Sequence, residues 1–437
     1  LGHDVESISD PNYQTWLRRG VLWAATGEVP SQANVAPKTR RLYASTYLDK
    51  MKGGWIGQMA GVGFGAPTEF RHLEEIVPED KLPTWTPQMV NQFDQDDLYV
   101  EMTFLRTLEE HGLDVSTRQA GIDFANSKYP LWHANKAARD RLREGIAPPD
   151  SGHPAFNDHA DDIDYQIEAD FSGLIAPGLP NTAIRLGETF GRLMNHGDGL
   201  YGGQFVGAMY AEAFFETDPE KIVRAGLAAI PKESQYHECI SDVLAWHKEN
   251  PNDWESTWHK IEEKYQKNRD YRRFSCSKDE KEPYKFNIDA KLNGAYIVMG
   301  LLYGNGDPDR TIYVSTRCGQ DSDCNPSNAA GILFTTIGFS KLPEKYVSGL
   351  DVNTKFNSTP YNFTSLINVC YMLADQAIEK AGGGKITVFN GDADDIYFIP
   401  IIPPRPSAYE TCWTPGPKAE SRFTPEEAKQ IVATNKE

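Results

Sequence analysis

No apolar run in this 437-residue chain approaches the roughly eighteen residues needed to cross a bilayer, so a membrane-spanning protein is excluded and a soluble one expected. Basic residues are short as well: 44 Lys and Arg face 62 Asp and Glu, a net charge of −18. Nucleic acid and anionic membranes both demand a basic face, so neither is expected as a partner. The six cysteines, at 239, 276, 318, 324, 370 and 412, form no CxxC pair and no zinc spacing, and read as scattered thiols with at most a bridge or two. Strand-like alternation is scarce before residue 385, and no internal repeat is visible. The segments NGDPD at 305–309 and NGDADD at 390–395 have no closing Glu of a calcium loop and read as turns. The first residue is Leu1 rather than Met, compatible with removal of a signal peptide. A secreted or periplasmic location is therefore expected, with a cytoplasmic one left open.

What is present is helical periodicity. From Tyr43 it recurs through more than a dozen segments, among them 43–60, 97–112, 133–144, 200–216, 289–303, 326–338 and 361–381. Residues 1–42 read as an arm in which Tyr13, Trp16, Leu17, Val21 and Leu22 could form one docking helix. A Pro/Gly/His-rich loop at 145–160 is long enough to be functional, and a charged excursion occupies 268–288. From Gly382 the segments KITVFNG and DIYFIPIIPP predict a small β-element around an Asn-Gly turn.

Two acidic clusters, Gln95-Asp96-Asp97 and Asp321-Ser322-Asp323, each precede a predicted helix, the second with Asn325 as N-cap and Pro326 in the first turn. Taken separately they read as helix caps. If they meet, four carboxylates share one volume, and a hard divalent cation held by oxygen ligands is the simplest relief of their repulsion. A third element, GGWIGQMAGVGFGAPTEF at 53–70, carries glycines at 53, 54, 57, 61, 63 and 65 through an otherwise amphipathic helix. Each costs about 1 kcal/mol against alanine, which calls for close helix packing or close approach of a ligand. The run ends on Glu69 in an apolar context, where a raised pKa would suit a general acid or base.

These three segments, in this order, resemble the ADP-ribosylglycohydrolase family, whose members carry a helix of the type G-x-x-x-G-x-x-x-G-D-A-x-G-x-x-x-E, then T-D-D-T, then G-G-D-[TS]-D-[TS]. Here they read GGWIGQMAGVGFGAPTEF, QDDL and GQDSDC, and the stretch around Asn195-His196-Gly197 is also similar to the family's. The resemblance implies an all-α, multi-helix orthogonal domain over 43–381, with the arm at 1–42 and a β-containing extension at 382–437. It implies hydrolysis at C1 of a ribofuranose with one or two magnesium ions. Asp96, Asp97, Asp321 and Asp323 would be metal ligands, with Gln95 in place of the family's hydroxyl, and Asp97 is counted among the catalytic groups too. Glu69 would gate or deprotonate water, and His196 would sit near the sugar.

Departures qualify this. Leu98 and Cys324 replace hydroxyl residues, and since a thiol is a poor partner for magnesium, calcium is a possible occupant. Where the family has a glycine- and asparagine-rich diphosphate loop, this chain reads HADDIDYQIEADFSG at 159–173, and acids at such density would repel a diphosphate. Carboxylates instead accept bonds from sugar hydroxyls, and a pair can serve as acid and base. Asp164 and Glu168 are the expected catalytic members, with Asp162, Trp132 and Asn135 as substrate contacts. The expectation is a metal-dependent glycohydrolase acting on a small-molecule or glycan substrate, a neutral furanoside or related glycoside, in carbohydrate breakdown. Removal of ADP-ribose from protein or a small molecule is the alternative, and an inactive binding or structural relative the second.

Overall fold

The computed structural model describes residues 38–268, 270–271, 288–390 and 392–432, with scattered helical residues between 13 and 24. Of the docking helix expected in the arm, Tyr13, Trp16, Leu17 and Val21 are helical, but Trp16, Leu17 and Val21 are exposed rather than docked; most of 268–288 and Gly391 of the expected Asn-Gly turn lie outside the described residues.

Two antiparallel helices form the axis on which the site is built. Helix α1 (Ala44–Gly65) runs five residues beyond the expected end at 60. Its glycines at 53, 57, 61 and 65 recur every fourth residue, so they share one face. A Cβ at these four positions would sit closer than 3.0 Å to the carbonyl oxygens of Phe334, Ala330, Pro326 and Ser322 respectively. The facing carbonyls carry the same spacing, three of them within the helix Cys324–Ile337 and one just before it. Close packing, not ligand approach, therefore explains these four glycines. The helix continues through these glycines because backbone-to-backbone contact offsets their propensity cost.

Further helices surround this pair: α2 (Asp96–His111), α3 (Thr117–Ala125), α4 (His133–Arg143), the short α5 (Asp164–Ile167) and α6 (Asp170–Leu174), α7 (Pro180–Phe190) and α8 (Asp198–Ala213). They are followed by α9 (Pro219–Leu227), α10 (Gln235–Glu249), α11 (Trp254–Ile261), α12 (Ala290–Gly304), α13 (Pro308–Arg317), α14 (Cys324–Ile337) and α15 (Phe363–Lys380). Buried aromatic and aliphatic side chains from α1, α2, α8, α12, α14 and α15 fuse into one core. Tyr47 of α1 ties its edges together, its hydroxyl donating toward the carbonyls of Leu174 (3.0 Å) and Cys370 (3.3 Å).

The expected C-terminal β-element is present, with one strand the sequence did not reveal. Strands β1 (Thr39–Tyr43), β2 (Gly384–Asn390) and β3 (Asp392–Pro400) form an antiparallel sheet in the order β1-β3-β2, with Thr39 opposite Pro400 and Gly384 opposite Phe398. Five residues with no alternation of their own become a strand because β3 offers a partner edge. The chain after β3 then runs back over the helical body. Buried Asp150 accepts the backbone N–H groups of Ala419 (2.8 Å) and Ser421 (2.7 Å), and Glu410 pairs with Arg192, fastening this return segment over the loop at 145–160.

Gly57→Ala and Gly61→Ala should each lower stability by ~2–4 kcal/mol, because the added methyl meets rigid backbone. Thermal and denaturant melts should show this loss, and Gly416→Ala, where nothing lies within 4 Å of the new Cβ, should be close to neutral.

Candidate active site

The end of α1 delivers Glu69 to the second acidic cluster through a short zipper. The Thr68 hydroxyl shares a 2.7 Å hydrogen bond with that of Ser322, the Phe70 N–H donates to Gln320 O (3.0 Å), and the Gln320 N–H donates to His72 O (3.0 Å). Glu69 thus stands exposed at the rim, while Asp321 and Asp323 are buried below it. Helix α2 brings in the first cluster from the other side. Its Asp97 Oδ1 accepts from Cys324 Sγ at 3.0 Å, so the start of α2 meets the start of α14. Carboxylates in the first turn of α2 are favoured by the partial positive charge of a helix N-terminus.

One local expectation is corrected here. The N-cap of α14 is Asp323, not Asn325. Asn325 lies inside the first turn, and its amide donates to Asn293 Oδ1 (2.8 Å), because a buried amide finds a better partner across on α12 than on its own backbone.

A second layer of acids backs the first. Glu101, one turn after Asp97, is fully buried and accepts the Phe171 N–H (2.8 Å), and Asp170 accepts from the Asn328 amide (2.7 Å). Asp164 accepts the N–H groups of Asn135 (2.9 Å) and Ala134 (3.3 Å), which makes it the cap of α4 where Trp132 offers no side-chain acceptor. Glu168 Oε1 accepts from the Asn135 amide, while its Oε2 finds no donor. Among the described residues none of Glu69, Asp96, Asp97, Glu101, Asp164, Glu168, Asp170, Asp321 and Asp323 is ion-paired to Lys or Arg. Arg71 acts on Glu69 without forming an ion pair with it.

Burial followed by mutual repulsion drives their titration upward. Desolvation, then Asp323 and Asp96, pushes Glu69 up to about 8, and desolvation with Asp323 pushes Asp96 up to about 6. Asp164 and Asp170 rise to about 7, chiefly through burial, against the hydrogen bonds that they accept. Asp97, Glu101, Glu168 and Asp321 are raised well above the ordinary range, burial first and neighbouring carboxylates next. Burial and the surrounding aspartates also hold Cys324 as a neutral thiol, a donor to Asp97 rather than a thiolate ligand.

The family's magnesium can be tested against these donors. Asp97 Oδ2 and both oxygens of Asp321 are buried without a hydrogen-bond partner, and Asp321 has the Asp323 carboxylate as its leading charged neighbour. Oxygen-only donors carrying excess negative charge fit a hard divalent cation.

The model of the ADP-ribosylglycohydrolase family matches residues 44–381. The chain belongs to the ADP-ribosylglycohydrolase family. It is therefore a member of a hydrolase family, and its acidic hollow lies within the matched segment. A solved structure described as "ADP-ribosylglycohydrolase-related protein complex" is 13% identical over 76% of this chain and 99% of its own, with a TM-score of 0.49. No curated protein matches the chain significantly.

In this glycohydrolase-family chain, the structure gathers Glu69, Asp96, Asp97, Asp321, Asp323, Asp164 and Glu168 around one region, with Gln95 half-buried at the start of α2. Asn135 touches both Asp164 and Glu168, and Trp132, 52% exposed, precedes α4. Asp162 is buried and bonds His159 (2.7 Å). The His196 ring lies 5.0 Å from that of His153 and 3.4 Å from a Glu410 oxygen, under the return segment, and burial pushes it down to about 3, while its backbone N–H donates to Ala160 O (2.8 Å) of the acidic loop. Its neighbour Asn195 also holds that loop, donating to Ala160 O and Asp162 O and accepting from the Tyr165 N–H.

Sequence reasoning missed Glu101, Asn195 and Gln320. Glu101 left a signal, an acid four residues after Asp97 on the face carrying Phe104 and Leu105. Gln320 occupies the second glycine position of the family's G-G-D pattern; its φ of 60° explains a glycine preference there, and its buried amide has no partner among the described residues.

These carboxyls bind protons more tightly folded than unfolded, so their contribution to stability is complete below about pH 4 and disappears as pH rises through about 6, 7 and 8. The melting temperature in EDTA should therefore fall between pH 5 and 8, and magnesium or calcium should flatten that fall. Asp321→Asn should raise metal-free stability by ~1–3 kcal/mol at pH 8 and abolish the thermal shift produced by the cation.

Proposed function

We propose that this chain is a metal-dependent glycohydrolase that cleaves the C1 glycosidic bond of a neutral furanoside or related glycoside. The observation that carries this reading is the burial of Asp161, Asp162, Asp164, Glu168 and Asp170, the acids that stand where the family cradles a diphosphate. Buried carboxylates backed by further acids repel a diphosphate, whereas sugar hydroxyls can donate to them.

Asp96, Asp97, Asp321 and Asp323 would hold the divalent cation, with the side-chain oxygen of Gln95 completing the set. Bound there, such a cation supplies positive charge that favours deprotonation of water and polarises sugar hydroxyls. Glu69, at the rim, would take the proton from the attacking water at its carboxylate when a cation offsets the charges of Asp323 and Asp96 that push it up to about 8. Glu168 is held protonated by burial; Oε1 is engaged by Asn135, which leaves Oε2 to give a proton to the departing glycosidic oxygen. Asp164 would act mainly by fixing the start of α4, and with it Trp132 and Asn135, against the sugar.

Incubation with a panel of aryl furanosides and magnesium or calcium should release the aryl group in a reaction stopped by EDTA; no EDTA-sensitive release from any member rejects the proposal. Glu69→Gln should lower kcat by ~10²–10⁴-fold with KM changed little. Calorimetry should detect no tight binding of ADP-ribose, and a clear heat would favour ADP-ribosyl hydrolysis instead.

A further inference from the structure

Asp162, one of the buried acids of the loop at 159–173, is joined by two histidines that neither the matched family motifs nor the proton transfers above use. His133, His159 and Asp162 each present one ligand atom, and the three atoms lie within 4.8 Å of one another. His159 Nδ1 is 2.7 Å from Asp162 Oδ2, His133 Nδ1 is 4.0 Å from the same oxygen, and the two rings meet edge to face at 5.2 Å. Asp162 is 1% exposed and the two imidazoles are half-buried.

The backbone on both sides of this trio is fixed by buried amides. Asn157, fully buried, donates to Ala134 O (3.0 Å) and Met194 O (3.0 Å) and accepts the His159 N–H (3.0 Å), which ties the start of α4 to the turn bearing His159. Asn195 donates to Asp162 O (2.9 Å) from the other side. His133 itself is held at a φ of 41°, outside the helical region, as the first residue of α4. The charged groups facing Asp162 are Asp161, Asp164 and Asp289, all acidic, so its carboxylate has its two histidine neighbours as counter-groups, with Asp289 itself paired to Lys291.

We propose that His133, His159 and Asp162 are the protein ligands of a second metal centre, distinct from the hard-cation site and suited to a borderline transition metal such as zinc. Two imidazoles and one carboxylate form the donor set of an open zinc site, in which a fourth position remains for water or substrate. The preference for nitrogen separates this centre from the all-oxygen hollow, because magnesium and calcium select oxygen donors. The proposal does not depend on the glycohydrolase reading, and its test reads metal binding rather than turnover.

The whole protein should be saturated with magnesium to fill the acidic hollow and then titrated with Co²⁺ and, separately, Cu²⁺. One equivalent of cobalt should give a visible d–d band that zinc abolishes, and the copper EPR spectrum should show nitrogen hyperfine splitting. His133→Gln and His159→Gln should each weaken cobalt binding at least ~10-fold and alter the copper spectrum. The exposed His111→Ala control and Asp321→Asn should leave both signals unchanged. A wild-type protein without the cobalt band overturns the proposal, as does a band that survives in a folded His159→Gln protein or disappears in Asp321→Asn. Circular dichroism of the glutamine variants separates ligand loss from misfolding.

Discussion

Repulsion among carboxylates gathered between α1, α2 and α14 is the constraint to which the site answers. Like charges that close resist burial, and each of these acids is driven toward its protonated form by desolvation and by its neighbours. Protons shared among the acids relieve the conflict, and in the function proposed above a divalent cation between them would do so too. The fold holds the acids together in either state because the elements that carry them are fixed by contacts elsewhere. The proposed chemistry would follow from the balance between them, with protons favoured at low pH and a cation as the acids ionise.

Holding the acids requires an axis that does not yield. The glycine face of α1 brings its backbone against the carbonyls of α14, and the zipper from Thr68 to His72 transmits that contact to Glu69. Cys324 completes the closure from α14 to Asp97, where a neutral thiol donates to a carboxylate without adding charge. The departure that cast doubt on the family's metal set is thereby accommodated: the cysteine supports an aspartate. On the far side, Asn157 and Asn195 pin the acidic loop, and the return segment after β3 is fastened over the neighbouring loop by Asp150.

Much of the helical architecture was legible because it depends on short-range periodicity. The segments at 97–112 and 133–144 coincide closely with α2 and α4, and 289–303 with α12, since apolar residues at helical spacing specify both the element and its buried face. Legibility failed where a local preference was overruled by a distant partner. Helix α1 passes its expected end because α14 rewards each glycine, and β1 exists because β3 accepts it. Asn325 gives up a capping role because Asn293 lies within reach.

The site divides in the same way. The motifs by themselves marked Glu69 and the two aspartate clusters, since family spacing and residue type are properties of the linear chain, and they marked the acidic stretch at 161–170 as foreign to a diphosphate. They could not mark Glu101 as a second layer, Asp164 as the cap of a helix that begins thirty residues earlier, or Asn195 as the support of that stretch. Nor could they join His133 to His159 and Asp162. Amino-acid order determined which helices form and which acids carry a motif, because both are encoded within a few turns of chain. Tertiary packing alone decided which polar atoms are buried together, because burial and pairing are relations among segments that the sequence keeps far apart.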